Sequence, residues 1–274
     1  MSLFQIDPDK CLRDGLCQAV CPIKIINQPD DRSIPEPVSG ADVLCIDCGH
    51  CVAVCPSGAI SHRSMTPEQC LPVDKERILD ADHAEHFLRY RRSIRVYRNE
   101  AVDRDILARL IRIASYAPSG HNSQPVFWHV VHDTNEVRRL TGLVVDWMRS
   151  MLMENESYAR QMHMDMIIAA WDMGIDTVCR DAPHLIVAHG LAADPMTQPA
   201  CTIALTYLDL AAPSFGLGTC WAGFFHAAAM LWKPLQEALG FPNGHVCMGA
   251  MMVGYPKYKY RRMPVRKEPR ITWA

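Results

Sequence analysis

The sequence predicts an α+β protein built from two unlike parts, and three observations lead to this fold class. Seven of the twelve cysteines lie between Cys11 and Cys55, in a short first part. The second part contains longer segments in which helical and strand patterns alternate. No Gly-x-Gly-x-x-Gly follows its first predicted strand, so a dinucleotide-binding Rossmann unit is not indicated.

The composition narrows the classes of function. The 274 residues are 49% apolar, which allows a sizeable core. The formal net charge of -2 gives no overall attraction to nucleic acid or to an anionic membrane, so any basic site is local. No run reaches the roughly 18–20 apolar residues of a membrane span. The first ten residues lack a signal-peptide pattern, and we expect a cytoplasmic protein.

The chain divides into three predicted segments. We expect a cysteine-rich domain at 1–62, a linker at 63–79 and a larger domain at 80–274. The linker contains two prolines and mixed polarity, which is typical of a connecting segment. The first domain is too short to bury much hydrophobic core. It therefore needs an additional cross-link, such as a metal centre, to be stable.

The cysteine-rich segment contains an internal repeat. "CLRDGLCQAVCP" at 11–22 aligns with "CIDCGHCVAVCP" at 45–56. The second copy has the spacing Cys-x2-Cys-x2-Cys-x3-Cys-Pro, in which three thiolates hold one iron–sulfur cluster and the fourth reaches a second cluster. A zinc site is the competing interpretation, but structural zinc usually takes two separated cysteine pairs. Residues 4–62 resemble the two-cluster bacterial ferredoxins.

The first copy departs from this pattern at one position. Asp14 stands where the second cysteine of the run is expected. One predicted cluster uses Cys21, Cys45, Cys48 and Cys51, and the other uses Cys11, Cys17 and Cys55 with Asp14 at its fourth iron. Carboxylate oxygen is a harder and weaker partner for that iron than thiolate. Asp14 as a ligand, water in its place, loss of that iron to leave [3Fe-4S], and Asp14 as a plain loop residue stay open.

The second part shows patterns of apolar residues for three helices and three strands. "DRDILARLIRIASYA" at 103–117 predicts an amphipathic helix with Asp103 as its N-cap. A largely buried, methionine-rich helix is predicted at 159–174, and a helix broken by Pro213 is predicted at 201–218. The β-branched and apolar runs at 126–132, 184–190 and 246–256 predict strands.

Four short segments in this part carry a family resemblance. They are "RRSIR" at 91–95, "APSGHNSQP" at 117–125, "FGLGTCWAG" at 215–223 and "GYPKYKYRRMPVRK" at 254–267. Each is weak alone, but their order and spacing over about 86–267 resemble the FMN-dependent nitroreductase family. The resemblance implies an α+β domain with an antiparallel-rich central sheet flanked by helices. The rival interpretation of the basic tail, a nucleic-acid stripe, conflicts with the nearly neutral net charge.

The resemblance also implies a set of FMN contacts. Arginine forks suit the dianionic phosphate, so the arginines are expected there, with Ser93 at the phosphate and ribityl chain. Asn122 and Gln124 match positions that bind the ribityl chain and ring edge, and the glycine segment lies over the ring. The full predicted set is Arg91, Arg92, Ser93, Arg95, Ser119, Asn122, Gln124, Gly216, Leu217, Gly218, Thr219, Arg261 and Arg262.

The resemblance further implies a homodimer, with chemistry at FMN N5 and no catalytic side chain. We expect the clusters to relay electrons from an external ferredoxin- or flavodoxin-type donor to FMN. The flavin is then expected to reduce a nitroaromatic, quinone or activated alkene by hydride transfer. Direct reduction by NAD(P)H, electron flow in the opposite direction, and a redox-sensing or electron-transfer partner protein are the alternatives.

Overall fold

The computed structural model describes residues 2–274, and the chain forms two compact units. The first unit contains residues up to Ile78 together with His121–Ser123. The second contains Leu79–Gly120 and Gln124–Ala274. Of the predicted linker at 63–79, residues 63–78 belong to the first unit and form 3-10 turns at Pro67–Gln69 and Lys75–Arg77.

The secondary structure is mixed, as an α+β chain requires. The strands are β1 Phe4–Ile6, β2 Ile26–Asn27, β3 Glu36–Pro37, β4 Ile60–His62, β5 Phe127–Val131, β6 His184–Leu191, β7 Gly218–Trp221 and β8 His245–Gly254. The helices are α1 Leu16–Val20, α2 Ala41–Leu44, α3 His50–Val54, α4 Ala81–Tyr90, α5 Arg104–Ala114, α6 Thr134–Glu154, α7 Glu156–Gln161, α8 Met164–Asp172, α9 Thr197–Ala211, α10 Gly223–Leu231 and α11 Lys233–Leu239.

The first unit has two short antiparallel ribbons and three short helices. β1 pairs with β4, and β2 pairs with β3. Helices α1 and α3 follow Gly15 and Gly49, whose φ angles of 72° and 71° are left-handed and favour glycine. These helices occupy equivalent places in the two copies of the cysteine repeat. The small core packs around Phe4, Ile25 and Ile60.

The second unit is a four-stranded sheet between two layers of helices. The strand order is β5-β6-β8-β7, and every neighbouring pair is antiparallel. Alternate residues of β6 enter different cores: Leu185 and Val187 face α6 and α10, whereas Ile186 and Ala188 face α5 and α9. The predicted α+β class with an antiparallel-rich sheet flanked by helices is confirmed.

Most predicted elements of the second unit form close to the expected positions. The three predicted strands are β5, β6 and β8. Asp103 caps α5, since its Oδ1 accepts the Asp105 N–H at 2.7 Å. Helix α9 begins at Thr197 and gives way to a 3-10 turn at Ala212–Phe215, where Pro213 interrupts the pattern.

The prediction of one largely buried helix at 159–174 is wrong. His163, with φ of 57°, separates α7 from α8, and only Met164 of α8 is buried. Met166 and Met173 are 67% and 72% exposed. Apolar side chains need not be buried, so a methionine pattern alone does not fix the depth of a helix.

Candidate functional site

Two cavities in the first unit are lined by the predicted cluster ligands. One, the Cys45 cavity, is lined by Cys21, Cys45, Cys48 and Cys51. The other, the Asp14 cavity, is lined by Cys11, Asp14, Cys17 and Cys55. Each set therefore includes the last cysteine of the other repeat copy. Ligation itself stays a prediction.

The donor sets fit iron–sulfur clusters better than single metal ions. All twelve cysteines are free thiols. Within residues 2–274, the one trio of candidate ligand atoms lying within 4.8 Å of one another belongs to Cys45, Asp47 and His62. Tetrahedral zinc would bring its sulfurs to about 3.8 Å from one another. No three of the cysteine sulfurs around either cavity lie within 4.8 Å of one another in the described residues, which argues against one zinc ion held by those cysteines.

The thiols have unequal surroundings. Burial raises the pKa of the Cys51 thiol to about 11. Burial also acts on Cys55, but hydrogen bonds from the Ser57 hydroxyl and the Ala59 N–H outweigh it and lower the pKa of that thiol. Such donors stabilise a thiolate. Asp14 is exposed, and its Oδ1 accepts the Leu16 N–H at 3.2 Å.

Sequence reasoning missed His62, which lines the Cys45 cavity. Its Nε2 lies 3.4 Å from the Cys45 sulfur, and its side chain is 2% exposed. The residue lies outside the cysteine run, so motif spacing gives no signal for it. Only the pairing of β1 with β4 brings it to the cavity.

A pocket of about 310 Å³ in the second unit is lined by five predicted FMN contacts. They are Arg92 and the segment Gly216–Thr219. Sequence reasoning missed further lining residues, which are Tyr90, Arg98, Tyr258, Lys259 and Tyr260. Three of these belong to the "KYKYRR" stretch, in which the family resemblance implies only the two arginines as contacts. We refer to this space as the Arg92 pocket.

Arg92 supplies the observation that tests whether FMN fits. Its Nη1 donates to the carbonyls of Arg89 and Arg91 at 2.7 and 2.6 Å, which holds the guanidinium in place. Its Nε is buried and has no hydrogen-bond partner within residues 2–274. A buried donor without an acceptor is costly, and an anionic oxygen would satisfy it. The residues present therefore fit a phosphate-bearing ligand.

The glycine segment of this pocket serves two purposes. Gly216 has φ of 70° and faces open space, so its backbone can approach a ligand. A Cβ on Gly218 would instead collide with Ile94 and Pro256. Gly218 is small because protein side chains pack on it. The Thr219 carbonyl accepts the Ile94 N–H at 2.8 Å, and this bond fastens the arginine segment to β7.

Arg91 is paired inside the protein. Its Nη1 lies 3.4 Å from Oδ2 of Asp209, a carboxylate that is 4% exposed. The Thr219 hydroxyl donates to the other oxygen of that carboxylate. Burial raises the pKa of Asp209, while Thr219 and Arg91 act in the opposite direction. Asp209 was missed, although a lone acid in the apolar stretch "TYLDLAA" is a signal for a buried partner.

The other predicted contacts lie outside the Arg92 pocket. Ser119 and Gln124 line a separate pocket of about 240 Å³ with Trp128, and the Gln124 N–H donates to Ser119 Oγ at 2.9 Å. Asn122 belongs to the first unit, where its amide donates to the carbonyls of Ile46 and Asp47 at 3.3 and 3.1 Å. Ser93 forms an isolated parallel β-bridge with Thr219. The side chains of Arg95, Arg261 and Arg262 are exposed.

Two family models match the chain. Residues 88–255 match the Nitroreductase family, and residues 9–60 match the 4Fe-4S dicluster domain. A protein of Archaeoglobus fulgidus, provisionally named NADH dehydrogenase/NAD(P)H nitroreductase, is 26% identical over 61% of this chain and 82% of its own length. The "Ferredoxin 7Fe" of Hydrogenibacillus schlegelii is 44% identical over 21% of this chain and 67% of its own length. The 5,6-dimethylbenzimidazole synthase of Rhodospirillum rubrum is 26% identical over 70% of this chain and 89% of its own length.

Solved structures share the fold of the second unit. A nitroreductase with bound FMN from Bacteroides fragilis aligns with a TM-score of 0.57 at 20% identity, over 69% of this chain and 97% of its own. A nitroreductase with bound FMN from Desulfitobacterium hafniense aligns with a TM-score of 0.56 at 20% identity, over 72% of this chain and 100% of its own. No helix in the described part of this chain is long and apolar enough to cross a membrane.

The Asp209 pair gives a testable prediction. Replacing Asp209 by Ala leaves the largely buried Arg91 without its counter-charge and Thr219 without its acceptor. We expect Asp209→Ala to lower the free energy of unfolding by roughly 1–3 kcal/mol, less than for a fully buried pair because Arg91 keeps some contact with water. Denaturant unfolding measures the change.

The matched control is Glu100→Ala, which removes the exposed partner of Arg98 at 3.9 Å. We expect it to change the free energy of unfolding by less than about 0.5 kcal/mol. Equal effects of the two substitutions would show that Asp209 contributes no more than a surface charge.

Proposed function

This chain belongs to the nitroreductase family, and from that premise we propose that it couples one-electron input at its cysteine-rich domain to two-electron reduction of an acceptor at the Arg92 pocket. It is an oxidoreductase of that family with a ferredoxin-like iron–sulfur domain. The observation that carries the proposal is that one chain contains both sets of thiols and a pocket with a buried, unpartnered arginine nitrogen. When bound, the clusters supply single-electron transfer and FMN supplies two-electron transfer to an electron-poor acceptor.

Arg92 is the proposed phosphate anchor. Its guanidinium is held by two carbonyls, so little side-chain entropy is lost when an anion binds. Its buried Nε has no hydrogen-bond partner within residues 2–274, which supports an anionic oxygen as the group that it binds. Lys259 and Arg98 line the same pocket and add positive charge. Arg91 then acts indirectly, since its charge is matched by Asp209 and it braces the segment that carries Arg92.

Gly216–Thr219 is the proposed wall beside the flavin ring. Gly216 allows a close approach of backbone to ligand, and Thr219 is fixed by Ile94 and Asp209. A rigid wall favours catalysis by a bound cofactor because it orients the acceptor and excludes water. The acceptor classes we propose are nitroaromatics, quinones and activated alkenes.

A second copy of the chain is the proposed source of the missing contacts. Ser119 and Gln124 line a pocket separate from that of Arg92, although both belong to the predicted FMN set. A homodimer in which each site takes residues from both copies reconciles the two positions. The exposed tail with Arg261 and Arg262 is free to reach the partner copy.

The Asp14 cavity is the proposed site of a cluster with three or four irons. Three cysteines line it, and one Asp14 oxygen already accepts a main-chain N–H. The 44% identical relative is named a seven-iron ferredoxin, which favours a three-iron cluster beside a four-iron one. The Cys45 cavity, with four cysteines, is the proposed [4Fe-4S] site.

Replacement of Arg92 tests the flavin site. We expect Arg92→Met to weaken FMN binding by about 10- to 100-fold, because a charge-assisted hydrogen bond contributes roughly 1.5–3 kcal/mol. Arg92→Lys should recover only part of the affinity, since an ammonium lacks the planar fork. Titration of the FMN-depleted protein, followed by flavin fluorescence, gives the dissociation constants.

Arg104→Met is the control, because Arg104 is exposed and lies outside the Arg92 pocket. Its affinity for FMN should equal that of the unaltered protein. Unchanged affinity in Arg92→Met would contradict the assignment of the phosphate site.

Replacement of Cys48 tests the coupling. We expect Cys48→Ala to slow flavin reduction by more than about 10-fold when a photoreduced two-cluster ferredoxin is the donor, which corresponds to about 1.4 kcal/mol in the barrier. Stopped-flow absorbance of the flavin measures the rate. Cys70→Ala is the control, since Cys70 is also a free, half-buried thiol but lines neither cavity.

A comparison of ferredoxin with NADPH as the electron donor distinguishes the proposed coupling from direct reduction of the flavin by NAD(P)H. Equal rates in Cys48→Ala and the unaltered protein with the ferredoxin donor would contradict the coupling. Fast reduction by NADPH in both proteins, together with no reduction by ferredoxin, would instead support an NAD(P)H-driven reductase in which the clusters are secondary.

A further inference from the structure

His62 is held rigidly at the end of β4. It pairs with Phe4 of β1, its N–H donates to the Met65 carbonyl at 2.8 Å, and the Met65 N–H donates back at 3.1 Å. The strand and the tight turn together fix the backbone on both sides. The side chain is 2% exposed, so its position is set by packing and not by solvent.

The hydrogen bonds of His62 define where its ring proton lies. The main-chain N–H of Ser64 donates to Nδ1 at 3.2 Å, and the Ser64 hydroxyl lies 2.8 Å from the same nitrogen. A main-chain N–H can only donate, so Nδ1 must be an acceptor. The neutral imidazole therefore carries its proton on Nε2, and this nitrogen is a donor.

The Nε2 proton faces the sulfur of Cys45. The two atoms are 3.4 Å apart, which suits an N–H···S hydrogen bond. An oxygen of Asp47 also lies 3.4 Å from Nε2, but that carboxylate is already held by the guanidinium of Arg63 at 3.2 and 3.3 Å. The side chain is thus aimed at a predicted cluster ligand while its neighbouring charges balance each other.

We propose that His62 donates a hydrogen bond to the Cys45 thiolate and thereby raises the reduction potential of the cluster in the Cys45 cavity. The proposal rests on the cluster assignment made above. Reduction adds one electron, which increases the negative charge on the ligand sulfurs, and a donor stabilises that charge. His62 is a positioning residue in this account, since it acts through Cys45.

The effect belongs to one cavity. In the Asp14 cavity, Cys55 accepts the main-chain N–H of Ala59 at 3.3 Å and lies 3.6 Å from the Ser57 hydroxyl, and neither contact involves His62. His62 lines the Cys45 cavity and contacts Cys45 there. Altering His62 should therefore change one potential and leave the other as it was, and this difference provides an internal reference.

The experiment is a redox titration of the anaerobically purified full chain, followed by electron paramagnetic resonance. We expect His62→Phe to lower the potential of the four-cysteine cluster by up to about 59 mV, or about tenfold in its reduction equilibrium, with no change in the second cluster. His62→Gln, which can restore an N–H donor, should recover part of the shift. His50→Phe is the matched control, since His50 is exposed and lines the same cavity.

The outcomes are distinguishable. Equal potentials in His62→Phe and the unaltered protein would overturn the role of His62 while leaving the clusters in place. A protein with no iron signal at all would instead overturn the cluster assignment. If His62→Phe fails to assemble, the ¹⁵N-histidine-labelled His50→Phe protein decides: a weak nitrogen coupling supports the hydrogen bond, and no coupling or the strong coupling of an iron-bound nitrogen overturns it.

Discussion

The pairing of β6 with β8 is the constraint on which the second unit depends. Both strands are buried on both faces, so alternate side chains must face two separate helical layers. With those layers fixed, β7 pairs with β8 at the edge of the sheet and carries Thr219. Thr219 then binds the Ile94 N–H and the Asp209 carboxylate, which positions the segment with Arg92. The pocket is thus a consequence of the register of the central sheet.

The buried carboxylate of Asp209 and the buried Nε donor of Arg92 determine which ligands suit the Arg92 pocket. Asp209 matches Arg91 within the protein, whereas the Nε of Arg92 has no partner within residues 2–274. Two adjacent arginines of the same motif therefore serve different purposes, one structural and one suited to an external anion. In the first unit the thiols also differ: burial raises the pKa of the Cys51 thiol, whereas at Cys55 several hydrogen bonds together outweigh burial and lower the pKa.

Local chemistry made much of this arrangement predictable from the sequence. Apolar runs identified β5, β6 and β8, Asp103 identified the start of α5, and cysteine spacing identified the two thiol sets. Long-range partners were not predictable, because His62 and Asp209 reach their sites through strand pairing and helix packing. The exposed α8 was also missed, since its apolar pattern does not distinguish a core from a surface that stays uncovered.

The central claim is that one chain holds a flavin and two iron–sulfur clusters. The most direct test is a count of iron, acid-labile sulfide and FMN per chain in protein purified without oxygen. The account predicts about one FMN with about seven irons, or about eight if Asp14 supports a complete four-iron cluster. FMN without iron, or iron without FMN, would contradict it.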